Sequence, residues 1–133
     1  MSDDVMTQGT FGWNELATSD PPAARKFFGS LLGWTYEEMP MPGGGGPYVV
    51  ASAGGKRVGG LFKMTGDNFK GVPPHWMGYI TVTNVDEAAK KVASLGGKVC
   101  VPPTDIPNVG RFCVINDPTG AAVSLMQWAP QAG

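Results

Sequence analysis

The sequence has too little charge to suggest an electrostatic partner. Its 133 residues carry a formal net charge of −1 at pH 7, and only 16% of them are charged. Neither a basic stripe nor an acidic tail is present. Proteins that bind nucleic acid usually present a basic face to the phosphate backbone. The composition therefore predicts no nucleic-acid partner.

Long apolar runs are missing as well. No stretch approaches the roughly 20 apolar residues that a membrane-spanning helix needs. Residues 1–9 are polar and acidic, unlike a secretion signal. We therefore expect a soluble, cytoplasmic protein with no membrane partner.

Cysteine is scarce. Cys100 and Cys113 lack the spacing of a metal-binding motif, and each lies in a short apolar run typical of a strand. Both are therefore interpreted as buried free thiols in a reducing compartment. Cys113 could face a pocket, but no nearby basic residue would favour its reactive thiolate form.

The chain does contain an internal repeat. Shifting the sequence by 64 positions aligns Gly33 with Gly97 and Val50 with Val114, and it aligns the two places where a strand ends and a helix begins. At 133 residues, with 42% of them hydrophobic, the chain can bury a core but is too short for two independent domains. Two divergent copies of one unit therefore indicate a single pseudo-symmetric domain.

The first copy, residues 11–64, is predicted to fold as βαβββ. Asp20 and Pro21 are typical of a helix start, and Gly33 is typical of a helix end. Between them, apolar residues recur at helical spacing at Ala23, Phe27, Leu31 and Leu32. Strands are predicted at residues 11–18, 34–39, 48–53 and 57–64. The four glycines at residues 43–46 predict a flexible hairpin that could act as a lid.

The second copy, residues 76–128, is predicted to repeat this order after a polar linker at residues 65–75. Its helix is expected over residues 86–95, with a buried side formed by Ala88, Ala89, Val92 and Leu95. Strands are predicted at residues 76–83, 98–101, 111–115 and 121–128. The proline-rich residues 102–110 predict an irregular loop.

Three groups of residues carry a family resemblance. They are Trp13-Asn14-Glu15-Leu16-Ala17-Thr18-Ser19-Asp20 with Phe27-Phe28 and Leu32-Gly33-Trp34, then Val82-Thr83-Asn84-Val85-Asp86, and finally Asn116-Asp117-Pro118-Thr119-Gly120. In this order they resemble the vicinal oxygen chelate superfamily, which includes glyoxalase I, the bleomycin resistance proteins and the extradiol dioxygenases. The resemblance covers residues 11–128. It implies a glyoxalase-like α+β domain in which two βαβββ units with pseudo-twofold symmetry form a cupped mixed sheet.

The resemblance also implies where a metal would be bound. In such proteins His, Glu or Gln side chains on the first and last strands of each unit hold a divalent ion on the cavity floor. Alignment places these positions at Trp13, Gly60, Met77 and Ser124. Trp and Gly offer no side-chain donor, and the Met thioether suits soft metals. The sequence therefore predicts no metal and no cofactor.

Alternation along the strands indicates which side chains share the face of these four positions. The predicted ligand-binding residues are Trp13, Phe62, Met77, Ser124 and Met126. This face is mostly apolar, aromatic and thioether in character, as small-molecule sites usually are. A small-molecule ligand is therefore the expected partner.

Three polar residues on or near this face are candidates for catalysis. Glu15 could act as a general base or accept a hydrogen bond from a ligand; alternatively it forms a salt bridge with Arg57 or Arg111, or is half-exposed. His75 could act as an acid–base group, or it packs at the end of a loop. Tyr79 could present its hydroxyl to the cavity, or it is a core aromatic residue.

These observations leave three functions open. The first is a metal-free small-molecule-binding protein of the bleomycin resistance type, which the donor-poor metal positions favour. The second is a glyoxalase- or lyase-type enzyme, similar to lactoylglutathione lyase, with acid–base groups or a non-standard metal site. The third is a structural or regulatory dimer with an unused cavity. Because single-domain members of the family commonly pair, the resemblance also implies a homodimer.

Overall fold

The computed structural model describes residues 7–40, 47–107 and 109–129, except for the side chain of Asn68. The predicted lid at residues 43–46 lies outside this part of the chain. The chain divides into two compact units, a first unit of Asn14–Met77 and a second unit of Met1–Trp13 with Gly78–Gly133. None of the described helices is long and apolar enough to cross a membrane.

The first unit is built on four strands and one helix. Its elements are β1 (Phe11–Thr18), which enters the unit at Asn14, the helix α1 (Pro21–Leu32), β2 (Thr35–Pro40), β3 (Pro47–Ala53) and β4 (Lys56–Lys63). The strand order is β2-β3-β4-β1. Strands β1 and β4 are parallel, and the other neighbours are antiparallel. The predicted βαβββ unit is confirmed.

Helix α1 begins and ends where its sequence predicts. Oδ1 of Asp20 accepts a hydrogen bond from the amide of Ala23 at 3.1 Å, which satisfies one of the donors left open at a helix start. Gly33 ends the helix at φ 76°, a left-handed conformation that favours glycine. The two caps therefore fix the helix between the first two strands of the unit.

The apolar residues that define the helical spacing of α1 are mostly exposed. Phe27, Leu31 and Leu32 are 59%, 63% and 53% exposed. The helix instead packs on its sheet through Ala24 and Phe28. The ring of Phe28 stacks on Trp34, with 5.3 Å between the ring centroids. The side of α1 that contacts the sheet is thus the side of Ala24 and Phe28, not the side of Phe27 and Leu31.

The core of the first unit lies on the face of the sheet that α1 covers. Its buried residues are Leu16, Val49, Ala51 and Leu61. Because successive side chains of a strand point to opposite faces, Glu15, Val50 and Gly60 belong to the other face. We call this second face, which turns away from α1, the site face of the unit.

The second unit repeats this plan. Its elements are β5 (His75–Thr81), which enters the unit at Gly78, the helix α2 (Val85–Val92), β6 (Lys98–Ile106), β7 (Gly110–Asn116) and β8 (Ala122–Trp128). The strand order is β5-β8-β7-β6, with β5 and β8 parallel. The core on its helix face contains Val85, Cys113 and Leu125.

Both units keep the same pairing register. In the first unit Glu15 pairs with Gly60, and in the second unit Tyr79 pairs with Ser124. Each residue lies 64 positions from its counterpart, so the sequence repeat is also a structural repeat. The predicted α+β class with two βαβββ units is confirmed.

The segment predicted as an irregular loop, residues 102–110, is largely strand. Strand β6 continues through the prolines at positions 102 and 103 and ends at Ile106. It is the last strand in its order, and its pairing with β7 shifts register twice between Val99 and Thr104. Proline cannot donate to a strand ladder, but edges and bulges tolerate it. The loop prediction was therefore wrong.

Two side chains differ from their predicted burial, those of Cys100 and Leu95. Cys100 is exposed, so the prediction of two buried thiols holds only for Cys113. Cys113 lies in the core of the second unit, on the face of its sheet that α2 covers and not on the opposite face, and burial raises the pKa of its thiol. Leu95 is 73% exposed, because α2 ends at Val92 and the chain continues as a 3-10 turn. The tighter turn moves Leu95 off the buried side.

An ion-pair cluster links α2 to β6 and β7. Nε and Nη2 of Arg111 donate to the two carboxylate oxygens of Asp86 at 2.9 and 3.1 Å. Nη1 of Arg111 donates to Asp105 at 3.0 Å. The hydrogen bonds from Arg111 lower the pKa of Asp86, because they stabilise its charged form.

Arg111→Met is expected to lower the melting temperature at about pH 7 and to lower it less at about pH 3. The pKa of Asp86 in the fold lies below its ordinary value of 3.8, so its pairing stabilises the protein above that value. The contribution is lost as the pH falls through the lowered pKa. Thermal unfolding measures it, with Lys26→Met, at an exposed position of α1, as a control. A gap that stays constant between the two pH values would contradict this role.

Candidate functional site

A carboxylate and a phenol are paired on the site face of the first unit. The hydroxyl of Tyr48 donates a hydrogen bond to Oε2 of Glu15 at 2.8 Å, and both side chains are half-buried. Glu15 lies in β1 and Tyr48 lies near the start of β3, with β4 between these strands. The hydrogen bond therefore reaches across β4.

Gly60 leaves the room that Tyr48 occupies. It stands in β4, directly paired with Glu15 on one side and Val50 on the other. A Cβ atom at this position would overlap the hydroxyl and Cζ of Tyr48 and would lie 2.7 Å from its Cε2. Side chains in proteins do not approach one another this closely. The Tyr48 ring in its present place thus requires a glycine beneath it.

The neighbours of Glu15 on this face are mainly apolar. Ala17 is buried and pairs with Phe62 in β4, and Val50 is 5% exposed. The half-buried Phe62 also contacts Phe69, with 5.8 Å between the ring centroids. A carboxylate among such groups is costly unless it is hydrogen-bonded. The Tyr48 hydroxyl supplies one such bond.

At the matching positions of the second unit, aromatic rings lie near a buried hydroxyl. The ring of Tyr79, which is 8% exposed, lies 6.5 Å from that of Phe112, measured between centroids. Ser124 pairs with Tyr79, and Met126 is buried two residues further along β8. Within the described residues, the buried Oγ of Ser124 has no hydrogen-bond partner. An unsatisfied buried hydroxyl is unfavourable, which makes Ser124 a candidate ligand contact.

The remaining predicted site residues lie in the first halves of β1 and β5. Trp13, His75 and Met77 are all half-buried. Nδ1 of His75 lies 3.0 Å from the carbonyl oxygen of Pro73, two residues earlier in the chain. This contact is compatible with packing at the loop end, and the functional roles of the three residues remain predictions.

The two arginines considered as structural partners of Glu15 bind other carboxylates. Arg57 lies 3.3 Å from Glu37. Arg111 binds Asp86 and Asp105. Glu15 is half-buried and accepts a hydrogen bond from Tyr48. This environment suits a half-exposed strand residue as well as a ligand acceptor or a general base.

The side chains at the four superfamily metal positions do not fit a divalent ion. Trp13 and Gly60 provide no donor, Met77 provides a soft thioether, and the Ser124 hydroxyl is a weak ligand. In the part of the chain that the structure describes, no group of three His, Cys, Asp or Glu residues could hold a metal ion.

Sequence reasoning missed Tyr48 and Phe112. Each lies on the third strand of its unit, and the two positions are 64 residues apart. Tyr48 contacts Glu15, and Phe112 contacts Tyr79, the residue that the repeat aligns with Glu15. The repeat offset contains this signal, because it aligns the two aromatic residues. Applying the offset to the third strands would have identified them.

Comparison with known proteins gives the chain a family. The sequence profile described as "Glyoxalase/Bleomycin resistance protein/Dioxygenase superfamily" matches residues 10–125. A Mycobacterium tuberculosis protein named "Putative glyoxylase CFP32" is 47% identical over 120 residues, which are 90% of this chain and 46% of the relative. The Streptomyces peucetius "Anthracycline biosynthesis protein DnrV" is 31% identical over 128 residues, covering 88% of this chain and 46% of the relative. The chain therefore spans about half the length of these curated relatives.

A solved structure shows the same fold. The methylmalonyl-CoA epimerase from Mycobacterium tuberculosis superposes with a TM-score of 0.65 and 15% sequence identity, over 98% of this chain and 93% of that chain. At this identity the likeness extends to the fold alone.

Proposed function

Because the chain belongs to the glyoxalase/bleomycin resistance protein/dioxygenase superfamily, we propose that it binds a flat, mostly apolar small molecule without using a metal. The Tyr48 to Glu15 hydrogen bond on an apolar sheet face is the observation that carries this proposal. Glu15 is then the main polar contact, and it accepts a hydrogen bond from the ligand. The half-buried Phe62 supplies apolar surface beside it.

The chemistry of the residues around Glu15 and the name of one relative support this class of ligand. Mostly apolar walls with few polar groups suit a flat aromatic molecule. A carboxylate acceptor favours a ligand with a hydroxyl or phenol donor. The relative named as an anthracycline biosynthesis protein, at 31% identity, points to polycyclic hydroxylated aromatics. A hydroxylated anthraquinone therefore combines the required features.

Titration with 2-(hydroxymethyl)anthraquinone, whose hydroxyl is free to donate, tests the proposal. We expect saturable quenching of tryptophan fluorescence with one site per chain, because the ligand would pack against aromatic residues. The affinity is expected to be the same in EDTA as in buffers containing Zn²⁺ or Ni²⁺. Binding that disappears in EDTA and returns with one of the metals would contradict the metal-free site.

A second candidate function is a lyase or isomerase of the glyoxalase type. The 47% identical relative named as a glyoxylase favours it. In that case Glu15 would take a proton next to a carbonyl group, with Tyr48 holding the carboxylate in place. Incubation with methylglyoxal and glutathione, with and without Zn²⁺ or Ni²⁺, tests this function. Formation of lactoylglutathione that Glu15→Gln abolishes would replace the binding proposal by an enzymatic one.

We also propose that the protein acts in the cytoplasm and forms a homodimer. The dimer is proposed because single-domain members of the superfamily commonly form homodimers. Sedimentation velocity at micromolar concentration tests it, and a monomer would contradict it.

A further inference from the structure

We infer that Tyr48 is a positioning residue for Glu15 and that the missing side chain at Gly60 is what admits it. This inference rests on the proposed function, in which Glu15 contacts the ligand. Tyr48 itself acts through Glu15. The pair formed by Tyr48 and Gly60 would then set the orientation of the carboxylate before any ligand arrives.

The geometry of the first unit supports a matched pair. The phenol reaches from β3 across β4 to β1, and it ends 2.8 Å from Oε2 of Glu15. Any Cβ at position 60 would overlap the hydroxyl of Tyr48. Even alanine at this position would therefore force the ring away from Glu15.

The second unit supplies an independent comparison. Phe112 is the counterpart of Tyr48, and Ser124 is the counterpart of Gly60. In the second unit the fourth strand carries the side chain of Ser124, and the third strand carries Phe112, a ring without a hydroxyl. Each unit thus keeps one hydroxyl among these two positions, but on a different strand. Glycine at position 60 and a phenol at position 48 therefore occur together in the first unit, and neither occurs at the matching position of the second.

Fixing the carboxylate in advance favours binding. A long glutamate side chain loses rotamer freedom when it holds a ligand, and a hydrogen bond already made reduces that loss. The phenol also compensates for part of the desolvation of the carboxylate on an apolar face. Tyr48 would therefore raise affinity without touching the ligand.

Carbon-13 NMR of the full chain with labelled glutamate side chains tests the positioning directly. The carboxyl resonance of Glu15 is assigned by its disappearance in Glu15→Gln. We expect Tyr48→Phe and Gly60→Ala to move this resonance, because both remove the phenol hydrogen bond. Gly29→Ala is the matched control, since its Cβ would meet its nearest neighbour, Cε2 of Tyr36, at an ordinary 3.5 Å. A resonance unchanged by Tyr48→Phe would overturn the inference.

Binding of 2-(hydroxymethyl)anthraquinone tests the consequence for the ligand. Tyr48→Phe keeps the ring, so we expect about a fivefold loss of affinity with little change in melting temperature. A purely structural tyrosine would show the opposite, a lower melting temperature with affinity retained, and that result would overturn the inference.

A double mutant separates the steric role of Gly60 from a general loss of fold. Gly60→Ala is expected to lower the melting temperature in the natural sequence but to have little further effect in a Tyr48→Ala background. Equal effects in both backgrounds would overturn the pairing of the two positions. If the NMR shifts appear but Glu15→Gln leaves probe affinity unchanged, the proposed function fails while the positioning stands.

Discussion

Glu15→Gln is expected to weaken the binding of 2-(hydroxymethyl)anthraquinone by roughly ten- to a hundredfold, the range for losing a hydrogen bond to a charged group. Glutamine keeps the shape of the side chain, and its carbonyl oxygen can still accept from Tyr48. The melting temperature should therefore change little. Fluorescence titration and thermal unfolding of the same protein samples provide both measurements.

Glu38→Gln is the matched control for this substitution. Glu38 is exposed in β2, and its carboxylate lies 2.6 Å from Arg25 in a surface ion pair. Surface pairs contribute little, so neither affinity nor stability should change much. If Glu15→Gln instead lowers the melting temperature and leaves affinity intact, Glu15 is a structural residue and the proposed site is wrong.

Leu61→Ala is expected to lower the free energy of unfolding by about 2–5 kcal/mol, the range for removing a large aliphatic side chain from a well-packed core. Leu61 is 0% exposed and lies in the core of the first unit between β4 and α1. Its removal leaves a cavity that a rigid sheet cannot easily close. Urea unfolding followed by circular dichroism measures the change.

Leu31→Ala makes the same substitution at a solvent-exposed site. Leu31 is 63% exposed on α1. Its loss should change stability by no more than about 0.5 kcal/mol, since alanine is a good helix former and no cavity results. A similar loss at Leu31 would show that this surface is covered in solution, and it would contradict the burial described for the single chain.

The sequence predicted the elements of both units well because local chemistry determines them. Asp20 and Gly33 act as helix caps through their own backbone neighbours. The extension of β6, by contrast, could not be predicted from local chemistry. Whether a strand accepts its prolines depends on its place at the edge of a sheet, and that place depends on partners far along the chain.

The candidate site was predicted only in part. Alternation along β1 placed Glu15 on the site face, since that needs only the order of side chains in one strand. Its bond to Tyr48 depends on the order β3-β4-β1 and on the pairing of Gly60 with both neighbours. Such contacts across three strands require the pairing register, which a single strand does not contain.

The contrast between the two cysteines gives the folded protein one accessible chemical handle. Thiol reagents react with the exposed thiolate, so a maleimide dye attaches to Cys100 on β6 and spares Cys113. Burial protects Cys113 and also disfavours its reactive form. A single fluorophore can therefore be attached to the natural sequence at a known edge strand, without mutating either cysteine. Uptake of a second dye then reports the opening of the second unit's core.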